Sequence, residues 1–447
     1  MSMVVKNNMS AISTLNTLNK NSSALSKSLE KVSSGMKING AADDASGYAI
    51  SERMRVQIRG LDQANANTQN GNAMLKVAEG AVSSTVDILK TLKEKVINAA
   101  NDTNTDADRQ TIQKELDQSI DQIDDNANIT YNGKYLVDGS HNNKVKETYT
   151  HLTNESFKAD TTSNTNFVDL KNRTGDSLNI HAGDTATISY VRDGKTFSTS
   201  LEIKSDTKLS DILTKTGANG AEKDSGAIST ILEFKSGTTA TSKIGIDGSG
   251  NTVYTADNGC AITLAAIKSG VEGQIAGFTI SITNNKGQIN KSANAVLDNF
   301  SESIRAENGS TDNAMVFQVG TKANQAIKVG LTDMRSTALG LKGKDGDTLN
   351  VSTQVKANAA INVLDNALQK ALDQQTTIGS VESRLSYTSG NLTTASENVQ
   401  ASESTIRDAD MAKEMTKYTK NNVLLQAAQS MLAQANQSSS SVLSLLQ

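Results

Sequence analysis

Residues 378–406 read IGSVESRLSYTSGNLTTASENVQASESTI, and residues 15–36 read LNTLNKNSSALSKSLEKVSSGM. In both stretches the main apolar residues recur three, four or seven positions apart, which is the heptad spacing of a coiled coil. A stripe this narrow covers too little of a helix to build a globular core, so each end must bury its seam against another helix. The sequence therefore predicts long paired helices at both termini.

The composition excludes several classes of protein. The 447 residues carry a formal charge of −4 and include no tryptophan, no proline and one cysteine, Cys260. A nucleic-acid-binding protein would normally show a basic patch, so binding to nucleic acid is not predicted. One cysteine allows neither an intramolecular disulfide nor a cysteine-rich metal site, and Cys260 is predicted to be a small buried apolar residue. The absence of proline suits long unbroken helices or rapid folding of a chain delivered unfolded, and an accident of lineage would also explain it.

The chain shows no conventional signal for entering or crossing a membrane. No segment approaches the run of about 18 apolar residues that a membrane span requires. The start, MSMVVKNNMSAISTLNTLNK, lacks the basic flank and apolar run of a secretory signal peptide. The protein is therefore expected either to stay in the cytoplasm or to leave by another route, without membrane insertion.

The first part of the chain predicts three helices. The first covers about residues 3–37 and stops where glycines interrupt the pattern, near residues 35–40. Asp43 or Asp44 is suited to cap a second, unusually long helix, whose heptad register runs from Ile50 to Val96. That helix contains three glycines that are expected to weaken it locally, Gly60, Gly71 and Gly80.

A third helix is predicted to begin at Thr105, because Asp108 three positions later completes a capping box. Its apolar residues recur at helical spacing and should share one face. They are Ile112, Leu116, Ile120 and Ile123.

Between about residues 139 and 290 the pattern changes to that of strands. Apolar and polar residues alternate in residues 187–191 and 196–203, and the intervening Arg-Asp-Gly-Lys at 192–195 predicts a hairpin turn. A short helix is predicted near residues 209–214. Helical patterning returns at residues 293–306, gives way to two short strands at 315–319 and 326–331, and resumes after residue 348.

The predicted fold class is therefore α+β. Both termini form long antiparallel helical coiled-coil or bundle domains, and a mainly β domain is inserted between them as the outer part.

No residue pattern predicts an enzyme, a metal site or a cofactor. His141, His151 and His181 lie outside any metal-ligand spacing such as HExxH and are predicted to be solvated loop residues. The glycine-rich residues 245–250 lack the lysine and the context of a phosphate-binding loop, which favours a turn. Aspartates at 43–44, 124–125, 408 and 410 are attributed to capping at helix ends.

Three segments of the chain resemble bacterial flagellin, the filament subunit of the flagellum. They are NNMSAISTLNTLNKNSSALSKSLEKVSSGMKINGAADDASGYAISERMRVQIRGL at 7–61, FQVGTKANQAIKVGLTDMRSTALGL at 317–341 and IRDADMAKEMTKYTKNNVLLQAAQSMLAQANQ at 406–437. The resemblance extends over about residues 1–140 and 295–447, and the middle is similar to the family's variable outer domain only in position.

The resemblance implies three layers in a filament. Residues 1–42 and 406–447 would form the inner tube, residues 43–140 and 295–405 the outer tube with a short β-hairpin, and residues 141–294 a surface-exposed, mainly β domain. Inner-tube packing is predicted to use Leu15, Leu18, Leu25, Leu29 and Val32 against Met411, Met415, Tyr418, Leu425 and Leu432. Outer-tube packing is predicted at Met54, Leu61, Leu75, Val82, Leu89, Leu385, Leu392 and Val399.

The resemblance also implies partners and a location. Copies would join head to tail in a contact that does not close, giving an extracellular helical homopolymer for motility. The chain would be exported through the flagellar type III channel, with an export chaperone on the apolar C-terminal tail at residues 423–446. In the flagellum it would meet filament cap and hook-associated proteins.

A further partner that the resemblance implies is the host's Toll-like receptor 5, which reads the segment corresponding to residues 92–116. Glu115 matches a contact glutamate of that segment, whereas Thr91 and Lys95 stand where stimulatory relatives have Arg and Leu. Arginine forks and apolar anchors dominate interface energies, so weaker receptor stimulation is predicted.

Two other functions remain open at this point. A hook-associated junction protein would share the terminal helices, but only a flagellin is expected to polymerise alone into long filaments from seeds. A flagellin whose insert also acts as a metalloprotease would be detected by a protease assay, although no HExxH motif is present.

Overall fold

The computed structural model describes residues 8–214, 228–235, 243–255 and 261–445. Cys260 and the predicted beginning of the first helix at residues 3–7 lie outside the described residues. The helices are α1 (Met9–Ser34), α2 (Ala45–Ala99), α3 (Asp106–Ala127), α4 (Lys291–Leu297), α5 (Gln354–Arg407) and α6 (Met411–Leu445). The strands are β1 (Thr130–Tyr131), β2 (Lys134–Tyr135), β3 (Lys144–Val145), β4 (His151–Asn154), β5 (Thr185–Arg192), β6 (Lys195–Glu202), β7 (Leu232–Lys235), β8 (Lys243–Ile246), β9 (Thr252–Tyr254), β10 (Ile262–Ala266), β11 (Ile275–Thr283), β12 (Ser301–Ile304), β13 (Ser310–Thr311), β14 (Met315–Gln318) and β15 (Ala326–Val329).

The predicted α+β class is confirmed, with long helices in both terminal regions and strands in the middle. By internal contacts the chain divides into two compact units. Unit 1 comprises Met1–Gln69, Gln318–Gln325 and Tyr387–Gln447, and unit 2 comprises Asn70–Phe317 and Ala326–Ser386. The helices α2 and α5 contribute residues to both units.

In unit 1, the helix boundaries follow local signals in the sequence. Gly35 adopts the left-handed conformation, with φ of 70°, and ends α1, because glycine enters that region without a steric cost. The side chain of Asp44 accepts hydrogen bonds from the backbone N–H groups of Ser46 and Gly47 at 3.1 and 3.0 Å. The predicted aspartate cap of the long helix is therefore confirmed at Asp44.

In unit 2, α3 begins as predicted. The Thr105 hydroxyl accepts from the Asp108 N–H at 3.3 Å, and the Asp108 carboxylate accepts from the Thr105 N–H at 2.9 Å, which completes the capping box. Leu116, Ile120 and Ile123 are buried on the apolar face, and Ile112 is half-buried beside them.

The strands of unit 2 form a core of their own. The predicted hairpin joins β5 to β6 through Asp193 and Gly194, whose φ values of 50° and 74° are those of a type I′ turn. A three-stranded sheet has the order β11-β5-β6, and a four-stranded sheet the order β12-β4-β10-β7. Phe167 and Phe278 are among the fully buried side chains of this core.

The three-stranded sheet lies directly on α5 within unit 2. A Cβ on Gly277 of β11 would stand 2.8 Å from Val363 of α5, so only glycine allows this approach. Side-chain amides of α5 also bind the strand, since Asn362 donates to the Phe278 carbonyl at 3.3 Å and Asn366 to the Ala276 carbonyl at 2.8 Å. These bonds satisfy carbonyl groups on the face of the strand that meets the helix.

Other short elements also match their predictions. Residues 209–214 form a 3₁₀ helix, and β14 and β15 pair as a two-stranded sheet. The glycine-rich residues 245–250 contain the turn between β8 and β9, where the Gly250 N–H donates to the Asp247 carbonyl at 3.0 Å.

The prediction of a helix over residues 293–306 was wrong in its second half. Helix α4 ends at Leu297, and residues 301–304 instead form β12, which pairs with β4. The pairing is reinforced by the Ser303 hydroxyl, which donates to the His151 carbonyl at 3.0 Å. A strand partner about 150 positions earlier in the chain outweighs a weak local helical pattern.

The prediction of a solvated loop was wrong for His151. His151 lies in β4 and is 3% exposed, and its Nδ1 is 3.0 Å from the Tyr149 carbonyl oxygen. His181 is exposed and His141 is half-buried, and both lie outside the strands. His151 is therefore part of the strand core and not a solvated residue.

Capping was also the wrong explanation for Asp124. This residue lies near the C-terminal end of α3, where the helix dipole disfavours a carboxylate. Its two carboxylate oxygens instead accept from the Ser336 N–H at 2.8 Å and from the Ser336 hydroxyl at 2.7 Å. Asp124 therefore fixes the segment around Ser336 to α3 within unit 2.

Two of the glycines expected to weaken α2 provide room for the β14–β15 hairpin. A Cβ on Gly60 would lie 2.9 Å from Thr321, in unit 1, and a Cβ on Gly71 would lie 2.9 Å from the Phe317 ring, in unit 2. Gly80 has no atom within 4 Å of such a position. Gly60 and Gly71 therefore have a packing role that Gly80 lacks.

This difference gives a prediction with a matched control. Gly71→Ala should destabilise the chain by about 1–3 kcal/mol, because the new methyl group overlaps the Phe317 ring. Gly80→Ala should stabilise it by about 0.5–1 kcal/mol, since alanine loses less backbone entropy in a helix. Urea unfolding followed by circular dichroism measures both, and a shift of the same sign in the two variants would contradict the packing role of Gly71.

Candidate assembly surface of the terminal helices

Helices α1 and α6 pack against each other as an antiparallel pair within unit 1. The least exposed positions recur every three or four residues on both helices, a heptad spacing that was predicted for α1. On α1 this seam includes Ala11, Thr14, Leu18, Asn21, Leu25, Ser28 and Val32, and on α6 Glu414, Tyr418, Asn421, Leu425, Ala428, Leu432 and Ala435.

Polar side chains set the register of this seam. Asn8 donates to the Ala435 carbonyl at 3.1 Å, Asn21 to the Leu424 carbonyl at 3.3 Å, and Asn421 to the Ser28 hydroxyl at 3.3 Å. A shift of the helices along each other would leave these amides unpaired, so they oppose slippage. The seam thus gains a defined register at the expense of apolar burial.

Large apolar side chains remain exposed on both helices outside the seam. We call these residues the outward apolar set. They are Met9 (69% exposed), Ile12 (47%), Leu15 (45%) and Leu29 (52%) on α1, and Met411 (43%), Met415 (45%), Val423 (59%), Leu424 (41%) and Met431 (62%) on α6. Apolar exposure on this scale marks a surface that other protein covers.

The outward apolar set is spread around the helices rather than gathered in one stripe. Met415 and Leu424 are nine residues apart, which places them on opposite sides of α6, about 180° apart at 100° per residue. Their side chains are 45% and 41% exposed. One partner on one face cannot bury both, so complete burial requires neighbours on more than one side of the helix pair.

The predicted inner-tube residues are divided between the seam and the outward apolar set. Within the subunit, the structure brings together the half-buried Leu18, Leu25, Val32, Tyr418, Leu425 and Leu432. Leu15, Leu29, Met411 and Met415 lie outside the seam and are exposed in the single chain. Their packing between copies stays a prediction.

Sequence reasoning missed Met9 and Ile12 of the outward apolar set. Val423, Leu424 and Met431 lie in the apolar tail at residues 423–446, which was expected to need a partner but was not assigned to packing between copies. Apolar residues on the supposedly solvated face of a helix were the available signal.

The predicted outer-tube residues are mostly buried. In unit 1, Leu61 and Leu392 form a cluster against which Val399 packs, and Met54 is half-buried. In unit 2 the others are fully buried, namely Leu75, Val82, Leu89 and Leu385. Their burial is satisfied within the single chain, and their packing between copies stays a prediction.

The three residues predicted to face a receptor lie in unit 2. Thr91 is exposed on α2, and its hydroxyl donates to the Asp87 carbonyl at 3.0 Å. Lys95 of α2 and Glu115 of α3 form an ion pair, with Nζ 3.1 Å from Oε2 and side chains 41% and 51% exposed. The structure thus brings Lys95 and Glu115 together, and the glutamate already has a cationic partner.

No group of three or more His, Cys, Asp or Glu side chains is arranged to hold a metal ion within residues 8–214, 228–235, 243–255 and 261–445. Within the same residues, no helix has the length and apolar character needed to span a membrane.

The terminal helices α1 and α6 pair with each other and leave large apolar residues uncovered. Residues 5–142 match the family model of the bacterial flagellin N-terminal helical region, and residues 361–446 match that of the C-terminal helical region. A flagellin of Clostridium tyrobutyricum is 33% identical over 436 residues, which cover 97% of this chain and 99% of that protein. The chain belongs to the bacterial flagellin family.

The chain is similar to further flagellar proteins. A flagellin of Bacillus subtilis (strain 168) is 29% identical over 464 residues, covering 99% of this chain and 100% of that protein. Among solved structures, FliC from Burkholderia pseudomallei is 19% identical, covers 70% of this chain and 99% of its own, and aligns with a TM-score of 0.24.

Proposed function

We propose that this flagellin is the structural subunit of an extracellular helical filament that serves motility, and that its role is not enzymatic. The observation that carries the proposal is the outward apolar set, whose members Met415 and Leu424 are exposed on opposite sides of α6. A head-to-tail contact that repeats without closing surrounds each helix pair with copies and buries both sides, and such a contact gives a helical polymer.

The layered arrangement is part of the same proposal. Residues 1–42 with 406–447 form the inner tube, residues 43–140 with 295–405 the outer tube, and residues 141–294 the outward-facing domain. The α1–α6 seam supports the first pairing, and the cluster of Leu61, Leu392 and Val399 supports the second. The outward apolar set supplies the contacts between copies in the inner tube.

Export through the flagellar type III channel is the proposed route out of the cell. Val423, Leu424 and Met431 are exposed in the C-terminal helix of the subunit, so an unassembled chain needs a chaperone to cover this tail. The filament cap and hook-associated proteins are the proposed partners at the two ends of the filament.

Weakened stimulation of Toll-like receptor 5 is proposed for the face formed by Thr91, Lys95 and Glu115. Lys95 neutralises the glutamate at 3.1 Å, and Thr91 offers neither the charge nor the fork of an arginine. A receptor that binds Glu115 must displace or share the lysine, which reduces the gain from that contact.

A reporter-cell assay tests the receptor proposal. The double variant Thr91→Arg, Lys95→Leu should raise potency by at least about tenfold, the effect of restoring one interface hot spot. Lys286→Leu, at an exposed position outside residues 92–116, is the control and should leave potency unchanged. Equal potency of the double variant and the parent chain would refute the proposal.

Seeded polymerisation tests the main proposal against the hook-associated alternative. Purified chain offered filament fragments should grow into long filaments without any second protein, whereas a junction protein made in few copies should not. A protease assay on the same filaments tests the enzymatic alternative, and cleavage of a casein substrate would contradict a purely structural role.

A further inference from the structure

We propose that Arg407 is a positioning residue for filament assembly, which fixes the turn between α1 and α2 to the turn between α5 and α6 and thereby sets the register of the terminal helix pair. The inference rests on the proposed filament function and adds a residue to which no role has been assigned. All the residues involved belong to unit 1.

The side chain of Arg407 is 7% exposed and contacts three residues of unit 1, two on α2 and one in the α1–α2 turn. Its Nη1 donates to Glu52 Oε1 of α2 at 2.6 Å, and its Nε donates to Met36 Sδ in the α1–α2 turn at 3.2 Å. Its guanidinium carbon lies 5.5 Å from the centroid of the Tyr48 ring, a cation–π distance. We call Met36, Tyr48, Glu52 and Arg407 the Arg407 clamp.

The backbones of the two turns pair at the same place. The Lys37 N–H donates to the Arg407 carbonyl at 2.7 Å, and the Ala409 N–H donates to the Gly35 carbonyl at 2.9 Å. Met36 and Asp408 form an isolated antiparallel bridge. The two breaks between helices are therefore joined as a short two-stranded pairing, and the arginine side chain covers it.

The clamp continues the register of the helix seam. The contacts along the pair proceed from Asn8 with Ala435, through Asn21 with Leu424 and Ser28 with Asn421, to Met36 with Asp408. Along this series the residue number rises on α1 and falls on the partner segment, as in an antiparallel pair. The clamp therefore closes the pair at one end, as a tight turn closes a β-hairpin and fixes its register.

The turn has bonds of its own, since the Asn39 N–H donates to Asp43 Oδ2 at 3.1 Å, but it also contains an unpaired polar group. The side-chain amide of Asn39 is buried, and neither its oxygen nor its nitrogen has a hydrogen-bond partner among the described residues. An unpaired buried amide destabilises the turn, and the contacts from Arg407 counteract this effect. The Arg407 guanidinium, which donates to Glu52, also holds the pKa of that carboxyl below its ordinary value.

The register matters for assembly because it places the outward apolar set. A slip of one residue rotates a helix by about 100° relative to its partner and moves Met415 or Leu424 away from the neighbouring copies. A subunit with a loose register would still have its unit 2 core but would present the wrong surface for addition to a filament.

Seeded growth of full-length variants tests the inference. Arg407→Met keeps the apolar stem and removes the fork, and it should raise the critical concentration for growth by about tenfold, equivalent to about 1.4 kcal/mol. Arg407→Lys should give an intermediate value, because lysine keeps the charge without the planar fork. Arg59→Met, an exposed arginine on α2 in unit 1, is the control and should grow as the parent chain does.

A charge exchange separates positioning from general stability. Arg407→Glu should grow worse than Arg407→Met, and adding Glu52→Arg to it should restore most of the loss, while the main thermal transition stays unchanged in all variants. Growth of Arg407→Met at the parent's critical concentration, or failure of the exchange to restore growth, would overturn the inference. If the parent chain itself does not grow from seeds, the filament function fails and the inference falls with it.

Discussion

Replacing Met415, Leu424 and Met431 together by glutamine is expected to raise the critical concentration for filament growth about a hundredfold. Full burial of such a side chain stabilises by about 1.5–3 kcal/mol, and about 1 kcal/mol remains for each residue already half-covered in the subunit. The three changes then remove about 3 kcal/mol from each addition step, which corresponds to about a hundredfold change in the critical concentration. Sedimentation of seeded reactions measures the critical concentration directly.

The matched control keeps the same positions apolar. Met415→Leu, Leu424→Met and Met431→Leu conserve volume and hydrophobicity, so growth should stay within a few-fold of the parent chain. Circular dichroism of the monomers should show equal helix content, because these side chains are 45%, 41% and 62% exposed in the subunit. Normal growth of the glutamine variant would show that these residues face solvent in the assembled protein.

The second large effect is expected from Glu302→Gln, which should stabilise unit 2 at pH 8 by up to roughly 3 kcal/mol. The Glu302 side chain is 5% exposed, and burial raises its pKa from 4.5 to about 7. Its Oε1 has no hydrogen-bond partner among the described residues. The Arg305 Nε is 3.7 Å from Glu302 Oε2, whereas the Arg305 Nη1 is only 2.7 Å from Asp373 Oδ2. Arg305 is therefore bound more closely by Asp373.

The sign of the pH dependence follows from the raised pKa. Between about pH 4.5 and 7 the folded chain holds a proton on Glu302 that the unfolded chain has lost, so stability falls as pH rises through this range and then stays level. Glutamine resembles the protonated form, so the variant should match the parent chain at pH 4.5 and exceed it at pH 8.

Urea midpoints at the two pH values measure the effect. Glu202→Gln, at an exposed position in β6, is the control and should shift neither midpoint. The buried Lys370 limits the gain, because Glu302 is one of the carboxylates that favour its charged form. Equal stability of Glu302→Gln and the parent chain at pH 8 would contradict the claim that the buried Glu302 carboxylate destabilises unit 2.

Features that depend on neighbours in the sequence could be predicted from it. Gly35 ends α1, Asp44 begins α2, Thr105 begins α3 with its capping box, and Asp-Gly at 193–194 turns the β5–β6 hairpin. In each case the residue that decides the conformation acts within a few positions of itself.

Features that depend on distant partners could not be predicted. Residues 301–304 form a strand because β4 lies beside them, and His151 is buried for the same reason. Gly71 looks like a weak point of α2 until Phe317 is placed over it. Local propensity carries no information about these partners.

The candidate assembly surface was predicted in outline and not in detail. The heptad stretches at residues 15–36 and 378–406 lie in α1 and α5, whereas the pairing of α1 with α6 was implied by the resemblance to flagellin. A period of seven does not state how many helices surround a given one. Leu15 and Leu29 were assigned to inner-tube packing, and in the single chain they are 45% and 52% exposed. Arg407 was missed because a cation in the last turn of a helix is already explained by the helix dipole.

The central claim is that the exposed apolar residues of the terminal helix pair make this flagellin assemble with copies of itself. Electron microscopy of the purified full-length chain, mixed with short filament seeds and with no other protein, tests it most directly. Long helical filaments that extend the seeds are the predicted result. A chain that stays monomeric, or that stops at a closed dimer, would contradict the claim.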